Sequence, residues 1–247
     1  MSSPATAMLL AAGRGERMRP LTDRCPKPLL KVQGKPLLQW HLEALQRDGC
    51  ERVLVNTDWL GEQILRAEHP PGLTMHYSHE GRDFGGALET AGGIARALPL
   101  LDEVFWVLAA DVFTPGFAFT QSAVERFAAS GLLAHLWLVP NPAHNPGGDF
   151  GLQAVSQGPA LALNLAKDDP RPRHTFSTIG LYRRALFEAP WCDIAAGNPQ
   201  GIKAALAPLL RRAMDQGRVS AELYHGPWTD VGTPQRLAEL NAFVEHP

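Results

Sequence analysis

The chain has 247 residues, enough for one sizeable domain with a full core. Hydrophobic residues make up 45% and charged residues 19%, the proportions of an ordinary soluble globular protein. A formal net charge of −2 excludes an overall basic field that would draw the protein to nucleic acid or to a membrane surface, so any phosphate site must be a local patch.

Met1 to Thr6 carry no basic segment, and the apolar run after them is too short for a secretory leader or a membrane span. The expectation is a cytoplasmic protein. Ala7–Ala12 reads as a buried strand that empties into a glycine-bearing basic loop. Pro36 opens a helix with Leu37, Leu38, His41, Leu42 and Leu45 on one side and Gly49 as its stop. Arg52–Asn56 is a strand, Leu60–Ala67 a short helix, Thr74–Ser78 a strand and Thr90–Leu98 a helix with a glycine-rich start. Val104–Ala110 is a strongly apolar strand ending at Asp111, Phe117–Ser130 a helix and Ala134–Val139 a strand. The texture then changes. Short runs at Gly151–Val155, Ala160–Leu165 and Ser177–Tyr182 predict an antiparallel lobe set into the sheet. A helix at Ile202–Gln216, strands near Val219–His225 and Trp228–Val231, and a helix from Pro234 close the chain. Strands alternating with helices argue for an α/β fold with a mostly parallel sheet. We read residues 1–247 as a single domain, with a nucleotide half over about 1–140 and a sugar half over about 141–247.

Cys25, Cys50 and Cys192 have neither metal-ligand spacing nor an even count, and read as reduced thiols. The 23 glycines and 21 prolines are scattered as turn punctuation, so no linker divides the chain.

The loop after the first strand carries the chemistry. Leu10, Ala11, Ala12, Gly13, Arg14 and Gly15 form a strand end and glycine turn whose backbone can approach a phosphate closely. Arg17 and Lys27 add full positive charge, and Arg grips phosphate bidentately. Met18 stands where a dinucleotide fingerprint needs its third glycine, which disfavours a dehydrogenase. No Gly-Lys-Ser/Thr tripeptide occurs, which removes the P-loop. Asp111 lies just beyond an apolar strand, where open α/β sheets bind ligands. A carboxylate there suits Mg²⁺ and equally suits a turn or helix cap. Asp230, in Trp228–Thr229–Asp230–Val231–Gly232–Thr233, is a second such residue.

Gly13–Arg14–Gly15–Glu16–Arg17–Met18–Arg19–Pro20–Leu21–Thr22, with Pro26–Lys27–Pro28–Leu29, resembles the signature of the sugar-1-phosphate nucleotidylyltransferases. The resemblance runs from Ala7 to about Phe243. Gly61–Ile64, Leu88–Ile94, Ala207–Leu210 and Trp228–Thr233 look most like the short bacterial N-acetylmuramate 1-phosphate uridylyltransferases. It implies a Rossmann-like, three-layer, glycosyltransferase-A-like fold with a mixed sheet and a small antiparallel sugar-binding lobe. It also implies transfer of a nucleotidyl group, UTP favoured, to a sugar 1-phosphate with release of pyrophosphate, on a monomer or small homo-oligomer.

By the same resemblance, Arg17, Lys27 and Asp111 are catalytic, and Asp111 with Asp230 holds Mg²⁺. Ala110 stands where the family usually has glycine. Leu10–Gly15, Glu80, Glu89, Thr90 and Ala91 would bind nucleotide, with Glu80 accepting from the imide of uracil. Asp149, Gly151, Ser177 and Thr178 would face the sugar. A guanylyl- or thymidylyltransferase of mannose, heptose or glucose phosphates is the near alternative, and a non-catalytic nucleotide-binding module the distant one. Retention of Arg17, Lys27, Asp111 and Asp230 together argues against the module.

Overall fold

The computed structural model describes residues 5–242, so the leaderless reading of Met1–Pro4 and the end of the resemblance at Phe243 lie outside the described residues. In chain order the elements begin with β1 (Ala7–Leu10), the hairpin β2 (Lys31–Val32) and β3 (Lys35–Pro36), and α1 (Leu37–Arg47). Next come β4 (Arg52–Thr57), α2 (Gly61–Leu65), β5 (Thr74–His79), α3 (Glu80–Phe84) and α4 (Glu89–Ala97). Then follow β6 (Val104–Ala109), β7 (Val112–Phe113), α5 (Gln121–Ser130), β8 (Ala134–Val139), β9 (Phe150–Gln153), β10 (Leu161–Leu163) and β11 (Arg173–Arg183). The chain closes with α6 (Leu206–Asp215), β12 (Val219–Leu223), β13 (Thr229–Asp230) and α7 (Pro234–Ala242).

One nine-stranded sheet runs β5–β4–β1–β6–β11–β8–β12–β10–β9. β5, β4, β1 and β6 run parallel to one another, whereas β11 is antiparallel to both β6 and β8. The inner strands are apolar at successive positions because both faces are covered. Ala7 and Leu9 of β1, Val53 and Val55 of β4, and Trp106 and Leu108 of β6 pack with Leu38, Leu42 and Leu45 of α1 and Val124 and Phe127 of α5. The intervening Met8, Leu54, Phe105 and Val107 pack with Ile94 of α4 and Leu206, Leu210 and Met214 of α6. This two-residue alternation makes three layers, the Rossmann-like α/β arrangement that the sequence implies.

The antiparallel lobe is set into the sheet, as expected: β9 and β10 extend the main sheet's edge, and β11 pairs with β6, β8 and β9 along its length. Two features differ from the sequence reading. Residues 117–120 are not helical. Phe117 and Phe119 are buried beside Trp106, Asp48 Oδ2 accepts from Phe119 N at 2.7 Å, and Thr120 caps α5 by accepting from Ala123 N. The helix expected from Ile202 begins at Leu206, because residue 204 is tied to the start of α4. There Ala204 N donates to Leu88 O, and Ala91 N and Gly92 N donate to Ala204 O.

A third apolar cluster joins the chain's two ends. Met18, Leu30, Val32 and Leu37 pack with Phe113, Val231 and Leu237. Asn241 accepts from Gln33 N at 2.7 Å and donates to Lys31 O at 3.1 Å, which docks α7 on the β2–β3 hairpin. His41 of α1 sits under this junction, with Nε2 donating to Val112 O at 2.9 Å. Burial lowers its pKa from 6.5 to about 4, against the opposing pull of the Val112 carbonyl and Asp111. The folded state therefore keeps the ring neutral, and the unfolded chain takes up a proton first as pH falls. Stability should drop as pH falls from about 6.5 to about 4, by on the order of 3 kcal/mol from this residue. Denaturant titrations across that window, for the parent and His41→Gln, measure it, with a flatter pH dependence expected in the variant.

Candidate active site

A cleft of about 490 Å³ opens at the carboxyl ends of β1, β4 and β6, lined by Ala11, Gly13, Arg17, Lys27, Glu89, Thr90 and Asp111 among others. Its floor is set by the turn after β1. Gly15 has φ +67°, and a Cβ there would lie 3.0 Å from Thr22 Cγ2 and 3.3 Å from Lys27 Cβ. Conformation and contact both demand glycine. Thr22, fully buried, donates its hydroxyl to Gly15 O at 2.8 Å, so this part of the motif folds the loop. Gly13 is different: a Cβ there would meet nothing within 4 Å, leaving a bare backbone face exposed on the cleft.

The cations divide by role. Arg14 lies 3.7 Å over the Trp59 ring and donates to Thr22 O and Asp23, so its side chain braces the loop and does not line the cleft. Arg17 is exposed, lines the cleft and has no charged or hydrogen-bonding partner among the described residues. Lys27 is buried on a turn between Pro26 and Pro28, with Nζ 2.5 Å from Asp111 Oδ2.

The antiparallel pair β7–β13 brings the two distant aspartates together. Val112 lies opposite Asp230, and Val231 N donates to Asp111 O at 3.0 Å. Asp230 Oδ2 accepts from Arg236 Nη1 at 2.8 Å and lies 3.4 Å from His144 Nε2. Asp111 Oδ1 has no hydrogen-bond partner among the described residues. Among those residues no group of three or more His, Cys, Asp or Glu side chains makes a metal cage. Asp111 on the cleft wall, with Asp230 across the β7–β13 ladder beside Gly232, is a donor set that matches Mg²⁺, which takes one or two carboxylates and completes its shell with phosphate oxygens and water.

On the other wall, Glu89 takes φ +58°, a strained value for a residue other than glycine, and lines the cleft beside Thr90. Two expected nucleotide contacts are placed differently. Ala91 is fully buried, and its N–H is consumed by Ala204 O at 2.8 Å. Glu80 has no accessible surface. Its Oε1 accepts from Asn56 Nδ2 and its Oε2 from Leu88 N, both at 2.8 Å, so at the floor of the cleft each oxygen already has a partner within the protein. Burial raises its pKa, opposed by those two hydrogen bonds.

None of the four expected sugar residues lines this cleft. Asp149 accepts from Phe176 N at 2.8 Å and from Asn145, ordering the 141–149 loop. Gly151 leaves room for Leu165, whose Cδ1 would lie 2.6 Å from an added Cβ. Ser177 is fully buried and accepts from Ile179 N. Thr178 sits at the β11 bulge with φ +69° and a buried hydroxyl that has no hydrogen-bond partner among the described residues.

Sequence reasoning missed Asn56, His144 and Arg236. Asn56 carried the same signal as Asp111, a polar residue closing an apolar strand at its carboxyl end. His144 and Arg236 carried none, since only the fold brings them to Asp230.

The family model described as nucleotidyl transferase matches residues 6–246. The chain belongs to the nucleotidyl transferase family. It is 45% identical to an N-acetylmuramate alpha-1-phosphate uridylyltransferase of Neisseria meningitidis serogroup B, over 96% of this chain and 97% of that protein. It is 32% identical to the Caulobacter vibrioides protein of the same name, over 96% and 98%. The inositol-1-phosphate CTP transferase structure from T. maritima shares the fold, with a TM-score of 0.70, 17% identity, and coverage of 99% of this chain and 98% of that one.

The two loop glycines should separate experimentally. Gly15→Ala should destabilise the protein by about 1–2 kcal/mol in denaturant titration, from the left-handed backbone alone. Gly13→Ala should unfold like the parent and lose nucleotide affinity, measured by calorimetry, because its methyl group would stand on the bare face of the loop.

Proposed function

We propose that this nucleotidyltransferase moves a uridylyl group from UTP to N-acetylmuramate 1-phosphate and releases pyrophosphate. The observation that carries the reaction is the Lys27–Asp111 pair in a cleft that the glycine loop floors, with Asp230 paired opposite Val112 and beside Gly232, which also lines the cleft. The substrate pair follows from likeness to the two uridylyltransferases across nearly their whole lengths. The whole chain acts as one catalytic unit, since β13 and α7 complete a site begun by β1 and β6.

A sugar phosphate oxygen attacks the α-phosphorus, and pyrophosphate leaves in line. No general base is needed, because the attacking phosphate is already ionised near neutrality. The task is to bring two anions together and hold them aligned. Gly13 and its neighbours present backbone to the triphosphate. Lys27, held in place by Asp111, would hold the acceptor phosphate or the α-phosphate. Arg17, with no partner among the described residues, is available to the charge that builds on departing pyrophosphate. Asp111 and Asp230 are the residues that would hold Mg²⁺, which when bound would neutralise phosphate charge. Thr178, at the bulge of β11, and the 141–149 loop, tied to β11 through Asp149, would form the sugar side.

Pyrophosphate release measured across nucleoside triphosphates and sugar 1-phosphates tests the assignment. UTP with N-acetylmuramate 1-phosphate should be the best pair, and excess chelator should abolish turnover. A clear GTP preference would reassign the base, and full turnover in chelator would remove both aspartates from metal binding. Arg17→Ala should fold normally and lose on the order of a hundredfold in turnover, about 3 kcal/mol of transition-state stabilisation. Parent-like activity in that variant would remove Arg17 from the cradle.

A further inference from the structure

Beneath the cleft, two buried side chains join its opposite walls. Ala11 N, at the start of the phosphate loop, donates to Asn56 Oδ1 at 2.7 Å. Asn56 Nδ2 donates to Glu80 Oε1, and Leu88 N, which caps α4, donates to Glu80 Oε2, both at 2.8 Å. Asn56 is 3% exposed and Glu80 0%. The fold makes room for this bridge: a Cβ on Gly93 would lie 2.6 Å from Glu80 Oε1 and 3.1 Å from Asn56 Nδ2.

We propose that Asn56 and Glu80 are positioning residues for the nucleotide, forming one hydrogen-bonded bridge that sets the span between the phosphate loop and the base-facing segment 87–90. This rests on the cleft being the nucleotide site. Both ends of the bridge are backbone donors. An amide side chain presents one donor and one acceptor, whereas a carboxylate presents acceptors only. Two side chains linking two donors must therefore be one amide and one carboxylate. Two amides leave a donor facing a donor. Two carboxylates leave facing acceptors unless one takes up a proton. The order of the two is free, and that freedom supplies a test. The bridge fixes where Ala11 and Leu88 stand, and the residues around them line the cleft. A triphosphate loop and a base-facing loop at the wrong separation cannot both engage one nucleotide. The sugar 1-phosphate spans neither wall and should be indifferent.

The experiment compares the full-length parent with Asn56→Asp, Glu80→Gln and the Asn56→Asp/Glu80→Gln double variant. The double variant reverses the order of amide and carboxylate while keeping the bridge's polarity and charge. Each single variant should raise KM for the nucleoside triphosphate about tenfold or more and leave KM for the sugar 1-phosphate within about threefold. Each should also narrow the preference between UTP and CTP. The double variant should return the nucleotide KM to within about threefold of the parent, a coupling that independent sites do not show. Single-variant penalties that simply add in the double variant would overturn the bridge. So would single variants that lose thermal stability but keep the parental nucleotide KM. If a single variant does not fold, a folded and active double variant supports the polarity rule and an unfolded one overturns it. The comparison uses whichever substrate pair the parent turns over best. A wrong substrate assignment therefore shows in the parent, and a wrong bridge only in the variants.

Discussion

The short antiparallel ladder between Val112–Phe113 and Thr229–Asp230 is the contact on which the site depends. β6 carries Asp111 to the edge of the sheet, but no neighbouring stretch of sequence offers a second carboxylate. The C-terminal segment supplies it by returning across the molecule. Its strand is only two residues long, too short to hold by hydrogen bonds alone. The apolar cluster of Met18, Leu30, Val32, Leu37, Phe113, Val231 and Leu237 holds it in place. Hydrophobic burial at the junction of the chain's two ends thus fixes a charge-bearing geometry several residues away.

That junction also explains how two acidic groups tolerate proximity before substrate arrives. Asp111 is paired with Lys27, and Asp230 with Arg236 and His144. Each carboxylate brings its own cation, so like-charge repulsion is offset locally. The partners differ in origin. Lys27 belongs to the phosphate loop, while Arg236 and His144 come from α7 and the loop before β9. One aspartate is therefore tied to the glycine–cation loop and the other to α7 and the loop before β9.

Glycines in this protein answer to three separate constraints. Gly15 is required by a left-handed turn packed on Thr22 and Lys27. Gly92 and Gly93 are required by close packing, the first against the backbone of residues 202–204 and the second against Glu80 and Asn56. Gly13 is unconstrained by its neighbours and leaves backbone open to the cleft. The motif Gly13–Arg14–Gly15 thus pairs a glycine that serves the ligand with one that serves the fold.

Much was legible in the sequence because it is local. Strand and helix periodicity gave the layers, and the glycine–cation loop with Pro26–Lys27–Pro28 marked the phosphate side. Asp111 was legible as a polar end to an apolar strand. The same sequence overstated what Glu80, Ala91, Arg14 and Gly151 do at the surface. Each is consumed by a partner distant in the chain: Asn56 and Leu88 for Glu80, Ala204 for Ala91, Trp59 and Asp23 for Arg14, Leu165 for Gly151. Residue type and spacing by themselves determined the family, the fold class and the residues able to meet a phosphate, because those depend on short stretches whose chemistry survives in isolation. Which of those residues face the cleft, and that Asp230 stands beside Asp111, only the tertiary structure decided. Burial and hydrogen-bond partners are properties of contacts between segments, and no single segment carries them.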